Sequence, residues 1–152
     1  MEASTSPRIV VGVDGSEQSI AALRFARKLA PPFNAVIQAV STWDYPPEYA
    51  GYVPIGSDNF EEITHKHLDT AVQSAFGDDP PEGLEKVVLF SHPSKGLVKA
   101  AEGAVMLVLG RRGHGTFRGL LMGSVSGACV AHAKCPVLVV EGSTGEMPED
   151  HA

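Results

Sequence analysis

The chain has 152 residues, 43% of them apolar, with 12 lysines and arginines against 18 aspartates and glutamates, for a formal net charge of −6. That length suits one globular domain with a core of its own. The acidic balance, about half of it carried by Glu146, Glu149 and Asp150 near the C-terminus, argues against partners such as nucleic acid or an anionic membrane surface.

Residues 1–7, within MEASTSPRIV, read as a flexible N-terminus with no apolar stretch of a signal peptide, so a cytoplasmic location is expected. RIVVGV (Arg8 to Val13) reads as a first strand, apolar nearly throughout. A helix follows from Ser16 to Ala30, with Asp14 and Ser16 as capping candidates and Ala22, Phe25, Ala26 and Leu29 on its apolar stripe; Pro31-Pro32 is expected to end it. AVIQAVST (Ala35 to Thr42) is a second strand. The segment from Trp43 to Asp58 is a long loop rich in proline (Pro46, Pro47, Pro54) and aromatics (Trp43, Tyr45, Tyr49, Tyr52), either a cover for a ligand or a packing surface.

Asp58 and Glu61 have the capping-box spacing and open a helix to about Phe76, with Ile63, Leu68, Ala71, Val72 and Ala75 facing inward. EKVVLFS (Glu85 to Ser91) is a third strand, and Pro93 starts a short helix carrying Leu97, Val98 and Ala101. AVMLVLG (Ala104 to Gly110) is a fourth strand, and its run from Ala104 to Leu109 is far short of the roughly 20 residues that span a bilayer. A last helix runs from Ser124 to about Lys134, PVLVVE (Pro136 to Glu141) is a fifth strand, and residues 142–152 read as an acidic, disordered tail. Strands that are apolar throughout and alternate with helices imply a parallel sheet covered on both faces, a doubly wound α/β domain over residues 8–141.

Chemistry concentrates after the fourth strand. Glycines stand at 110, 113, 115, 119, 123 and 127, with Arg111, Arg112, His114 and Arg118 among them. In an open parallel sheet ligands bind beyond the carboxyl ends of the strands, and a helix N-terminus there offers unpaired N–H groups to an anion. Gly123 before the last helix, with Ser124 and Ser126 in its first turn, fits a phosphate seat; Gly110 and Gly113 fit a tight exit from the strand and close contact with a sugar or phosphate. The segment lacks G-x-x-x-x-G-K-[ST], and GHGTFRG lacks the spacing of the dinucleotide fingerprint.

The pattern present is G-x2-G-x9-G-[ST], formed by Gly110, Gly113, Gly123 and Ser124. With RIVVGVDGS at the start, GRRGHGTFRGLLMGSVS in this loop and CPVLVV at the end, the chain resembles the universal stress protein family, in its nucleotide-binding branch. The resemblance implies a five-stranded sheet in the order 3-2-1-4-5, of the adenine nucleotide alpha hydrolase-like kind, with ATP and magnesium bound between the first and fourth strands. By position it sets Gly12, Val13 and Asp14 against the nucleoside and Val40 against the adenine. Leu109, Gly110 and Gly113 would flank ribose and phosphates, and Gly123, Ser124, Val125 and Ser126 would hold the phosphates. One departure is Gly103-Ala104, where members often carry Ala-Asp before the fourth strand.

The family pairs its fifth strand across a two-fold axis, so the apolar edge from Pro136 to Glu141 implies a homodimer. The expected function is a stress or dormancy regulator that couples nucleotide occupancy to an unidentified protein partner. The alternatives are a nucleotide-independent interaction module and a binder of AMP or cyclic AMP. No general base stands out, so enzymatic activity is limited to slow hydrolysis or autophosphorylation on Ser124 or Ser126. His65 and His67 are too poorly spaced for a metal pair on a helix, and Cys129 and Cys135 read as reduced structural thiols.

Overall fold

Successive side chains of a strand point to opposite faces, so a strand apolar at every position is stable only where both faces are covered. The first strand, β1 (Arg8–Gly12), meets that condition: Ile9 and Val11 enter one core and Val10 the other, all fully buried. The computed structural model describes residues 6–45, 59–111 and 123–141. After β1 come α1 (Glu17–Phe33), β2 (Val36–Trp43), α2 (Asn59–Phe76), β3 (Glu85–Phe90), α3 (Pro93–Ala100), β4 (Met106–Gly110), α4 (Ser124–His132) and β5 (Val137–Val140).

The strands form one parallel sheet in the order β3-β2-β1-β4-β5. Its two faces carry separate cores. On one, Ile9, Val11, Ile37, Ala39 and Val108 pack under α1 and α2; on the other, Val10, Val40, Leu107 and Leu109 pack with Leu97 of α3 and Cys129 of α4. Register sets Gly12 beside Val40 on one side and Val11 beside Val108 on the other, so β1 stops short while β2 runs on to Trp43 and β4 to Gly110. The winding reverses between β1 and β4, which leaves a crevice at their carboxyl ends.

The structure corrects three local readings. α1 does not stop at Ala30 but runs through Pro31 and Pro32 to Phe33. Proline fits helical φ and, in a last turn, removes few hydrogen bonds. The helix is closed instead by Asn34 in the left-handed region (φ 53°), with Asn34 N–H donating to the Pro31 carbonyl and Ala35 N–H to that of Ala30. Phe25 lies outward on α1, and the buried stripe is Ser19, Ala22, Leu23, Ala26 and Ala30. Ile63 of α2 is likewise exposed, whereas Leu68, Ala71, Val72 and Phe76 are buried. The expected capping residue Asp58, most of the Trp43 to Asp58 loop and the 142–152 tail lie outside the described residues, as do all but Ser6 and Pro7 of the N-terminal segment.

Candidate functional site

The carboxyl ends of β1, β2 and β4 border a cleft of about 330 Å³, within the size range of small-molecule sites. From the strand ends, Gly12, Val13, Val40, Leu109 and Gly110 line it, and Asp14 follows directly after β1. The start of the last helix supplies Gly123, Ser124, Val125 and Ser126. The sequence-derived candidates among the described residues thus share one cleft, while Gly113 lies outside the described residues, as do Arg112, His114 and Arg118.

Three helix N-termini border this space, and their sequences treat them differently: α3 opens on Pro93, which has no N–H to offer a ligand, while α1 and α4 start on residues that keep theirs. At α1, the Ser16 hydroxyl accepts from Ser19 N–H at 3.2 Å, and Ser16 N–H donates to Asp14 Oδ1 at 2.9 Å. Asp14 therefore serves as a capping group at the cleft's rim. At α4 the N-cap is Gly123, which brings no side-chain acceptor. The chain holds Gly123 from behind, its N–H donating to the Arg111 carbonyl at 2.8 Å, and Gly127 N–H donates to the Gly123 carbonyl at 2.9 Å. The N–H groups of Ser124, Val125 and Ser126 belong to the first turn, which has no intrahelical acceptors for them. They carry the positive end of the helix dipole into the cleft, which can hold an anion without a cationic side chain.

The hydroxyls sort in the same way. Ser126 donates to the Gly110 carbonyl at 2.6 Å, tying α4 to the end of β4. Ser41 donates to the Val13 carbonyl at 2.7 Å, Ser19 to the Ser16 carbonyl at 2.9 Å, and Thr64 to the Phe60 carbonyl at 2.8 Å. These four protons hold the scaffold. Any contact Ser126 makes to an anion therefore comes from its backbone N–H, and Ser124 is the first-turn hydroxyl not committed to a described partner.

Gly110 has a packing reason of its own. A Cβ there would fall 2.5 Å from Gln18 Cβ and 2.8 Å from the Gln18 carbonyl carbon, so the backbone of α1 rests directly on it. A Cβ on Gly12 would meet Leu109 Cδ2 at 2.7 Å and Leu97 Cδ1 at 2.9 Å. Part of the glycine pattern therefore serves the closeness of helices to strand ends. The cleft's apolar wall is Val13, Val40, Leu97 and Leu109, a surface suited to a flat hydrophobic ring.

The structure adds lining residues that the sequence motifs do not mark: Ser16 and Ser19 of the α1 cap, Ser41 and Thr42 of β2, and Thr64 and His67 of α2. Asp14 and His67 are the ionisable groups among the described lining residues, which contain no lysine or arginine. Arg111, beside the cleft, is ion-paired with Glu141. Trp43 and Tyr45 do not line the cleft but pack edge-on at 5.3 Å in a cluster with Phe60 and Phe90. No group of three or more His, Cys, Asp or Glu side chains placed to hold a metal occurs among the described residues. None of the described helices is long and apolar enough to cross a membrane. Within α4, burial pushes the Cys129 thiol up from 9.0 to about 11, and burial raises Cys135, just beyond that helix, as well.

Comparison with known proteins follows the same lines. The universal stress protein family pattern matches residues 6–141. Universal stress protein Rv2623 of Mycobacterium tuberculosis is 30% identical over 152 residues, which cover 95% of this chain and 51% of that protein. The chain thus spans about half the length of the curated relatives it matches. Universal stress protein UspA from Lactobacillus plantarum, at 21% identity, superposes with a TM-score of 0.72 over 91% of this chain and 99% of that one, a likeness of fold. A universal stress protein solved in complex with cAMP is 26% identical, with a TM-score of 0.58 over 92% of this chain and all of that one (100%).

Proposed function

The chain belongs to the universal stress protein family, and from that premise we propose that its cleft binds an adenine nucleotide, ATP with magnesium, with the phosphates on the first turn of α4. The observation that carries this reading is the α4 N-terminus: it opens into the cleft without a side-chain cap, while the α1 N-terminus beside it is capped by its own serine. The apolar wall of Val13, Val40 and Leu109 then takes the base, and Asp14 stands within reach of the sugar or the base edge. Gly12 and Gly110 keep backbone close to the nucleoside. Magnesium would be held chiefly by the phosphates and water, in keeping with its reluctance to shed its hydration shell. Its role would be to offset phosphate charge in a cleft whose described lining has no cationic lysine or arginine.

Binding is then read out by association. β5 lies at the sheet edge, hydrogen-bonded to β4 on one side, with Val137, Leu138, Val139 and Val140 all half-buried. We propose that this edge pairs with a second copy, and that nucleotide occupancy alters how the dimer meets a protein partner. A second reading, a cyclic AMP or AMP ligand, draws on the cAMP-bound relative and on the absence of lysine and arginine from the described lining, which suits a ligand of lower charge.

Calorimetric titration of refolded, nucleotide-free protein with magnesium-ATP tests the proposal, beside Ser124→Asp. A carboxylate in the first turn of a helix stabilises it by about 0.3–1 kcal/mol, yet it occupies the place of the phosphates. The expected result is micromolar binding by the wild type, about −8 kcal/mol, lost in a variant that melts no lower. Equal binding by both proteins would remove the phosphates from α4. Tighter binding of cyclic AMP than of ATP would select the second reading.

A further inference from the structure

The sheet order gives the cleft a direction. β1 lies between β2 and β4, so the α4 seat and the end of β2 stand on opposite sides of it, roughly 10 Å apart at the usual strand spacing. α2 packs on the β2 and β3 side and sends two side chains one turn apart, Thr64 and His67, into the cleft. A nucleotide with its phosphates on α4 therefore points its base toward β2 and α2.

The polar side chains lining that end are Ser41 and Thr42 of β2 and Thr64 and His67 of α2. Val13 N–H donates to the Val40 carbonyl at 2.8 Å, and the Val13 carbonyl accepts from Ser41. The Thr64 hydroxyl spends its proton on Phe60. His67 has no hydrogen bond or ion pair among the described residues, and His65, two residues before it and on another side of the helix, is turned to Glu61. A neutral imidazole carries one donor and one acceptor, and its acceptor nitrogen can take a hydrogen bond from the exocyclic amino group of adenine.

We propose that His67 is a base-recognition residue, accepting a hydrogen bond from the exocyclic amino group of the bound adenine, a role that rests on the nucleotide reading above. The contact lies at the far end of the cleft from the phosphate seat, and it comes from a helix that carries none of the glycine motif. It selects for an amino-bearing purine and leaves phosphate affinity untouched.

The test compares ATP with purine riboside triphosphate, which lacks only the amino group, and with inorganic tripolyphosphate, in the wild type, His67→Ala and His67→Gln. His67 is exposed, and alanine favours the helix, so folding is preserved. One neutral hydrogen bond predicts that the wild type prefers ATP over the deamino analogue by about threefold to tenfold. In His67→Ala the two bind equally, His67→Gln recovers part of the preference through its amide oxygen, and tripolyphosphate binds alike in all three. The same preference for ATP in the wild type and His67→Ala would overturn the proposal, as would a loss of ATP affinity matched by tripolyphosphate. A wild type that binds neither ATP nor the analogue would bring down the nucleotide reading itself, and this one with it.

Discussion

Replacing Gly110 with alanine separates what the glycine does for the fold from what it does for a ligand. The added methyl would sit 2.5 Å from Gln18 Cβ, 2.8 Å from the Gln18 carbonyl carbon and 3.0 Å from its oxygen. Two of these three atoms are backbone of α1, so relief requires the whole helix to move off the sheet. Overpacking of that kind costs about 1–3 kcal/mol. Gly127, inside α4, is the internal control: its Cβ would meet nothing within 4 Å, and its φ is not among the positive ones. There the same substitution should stabilise by roughly 0.5–1 kcal/mol, because alanine loses less backbone freedom in a helix. Urea denaturation measures both. With a slope of about 2 kcal/mol per molar, the midpoint should fall by roughly 0.5–1.5 M in Gly110→Ala and rise by roughly 0.3–0.5 M in Gly127→Ala. A Gly110→Ala protein as stable as the wild type would refute the packing argument.

Other expectations follow from the same geometry. Ser16→Ala removes the α1 cap and should lower stability by about 1 kcal/mol, read by urea denaturation. Ser126→Ala leaves the part-buried Gly110 carbonyl without its 2.6 Å partner, and should cost about 1–2 kcal/mol on the same assay. If the protein phosphorylates itself, mass spectrometry after incubation with ATP should place the phosphate on Ser124, and a phosphate on Ser126 would contradict the commitment of that hydroxyl to Gly110. Cys129 gives a pH dependence of defined sign: the unfolded chain releases its proton near 9.0 and the folded chain near 11, so between these values the unfolded state binds fewer protons. Its contribution to stability is complete below pH 9.0 and declines as pH rises toward about 11, which denaturation midpoints across that range would show.

The architecture was legible because parallel strands leave a strong mark. RIVV, AVIQAV and MLVL are apolar where both faces of a sheet are covered, and glycine and proline punctuate the gaps. Helix phase was harder. Phe25 and Leu23 are both apolar on α1, and choosing between them requires knowing where the sheet lies, which no local pattern states. Pro31-Pro32 looked like a stop because proline breaks helix interiors, but a last turn loses little by it and Asn34 supplies the turn. At the cleft, residues adjacent in the motif, such as Gly123 and Ser124, were readable from spacing. Thr64 and His67 were not, because they reach the cleft through the docking of α2 on β2 rather than through any motif of their own.

The central claim, that the first turn of α4 seats the phosphates of a nucleotide, is tested most directly by amide NMR during titration with magnesium-ATP. The account predicts that the N–H resonances of Ser124, Val125 and Ser126 shift furthest and saturate together with those of Gly12 and Asp14. Saturable binding that leaves these three amides unmoved would contradict it.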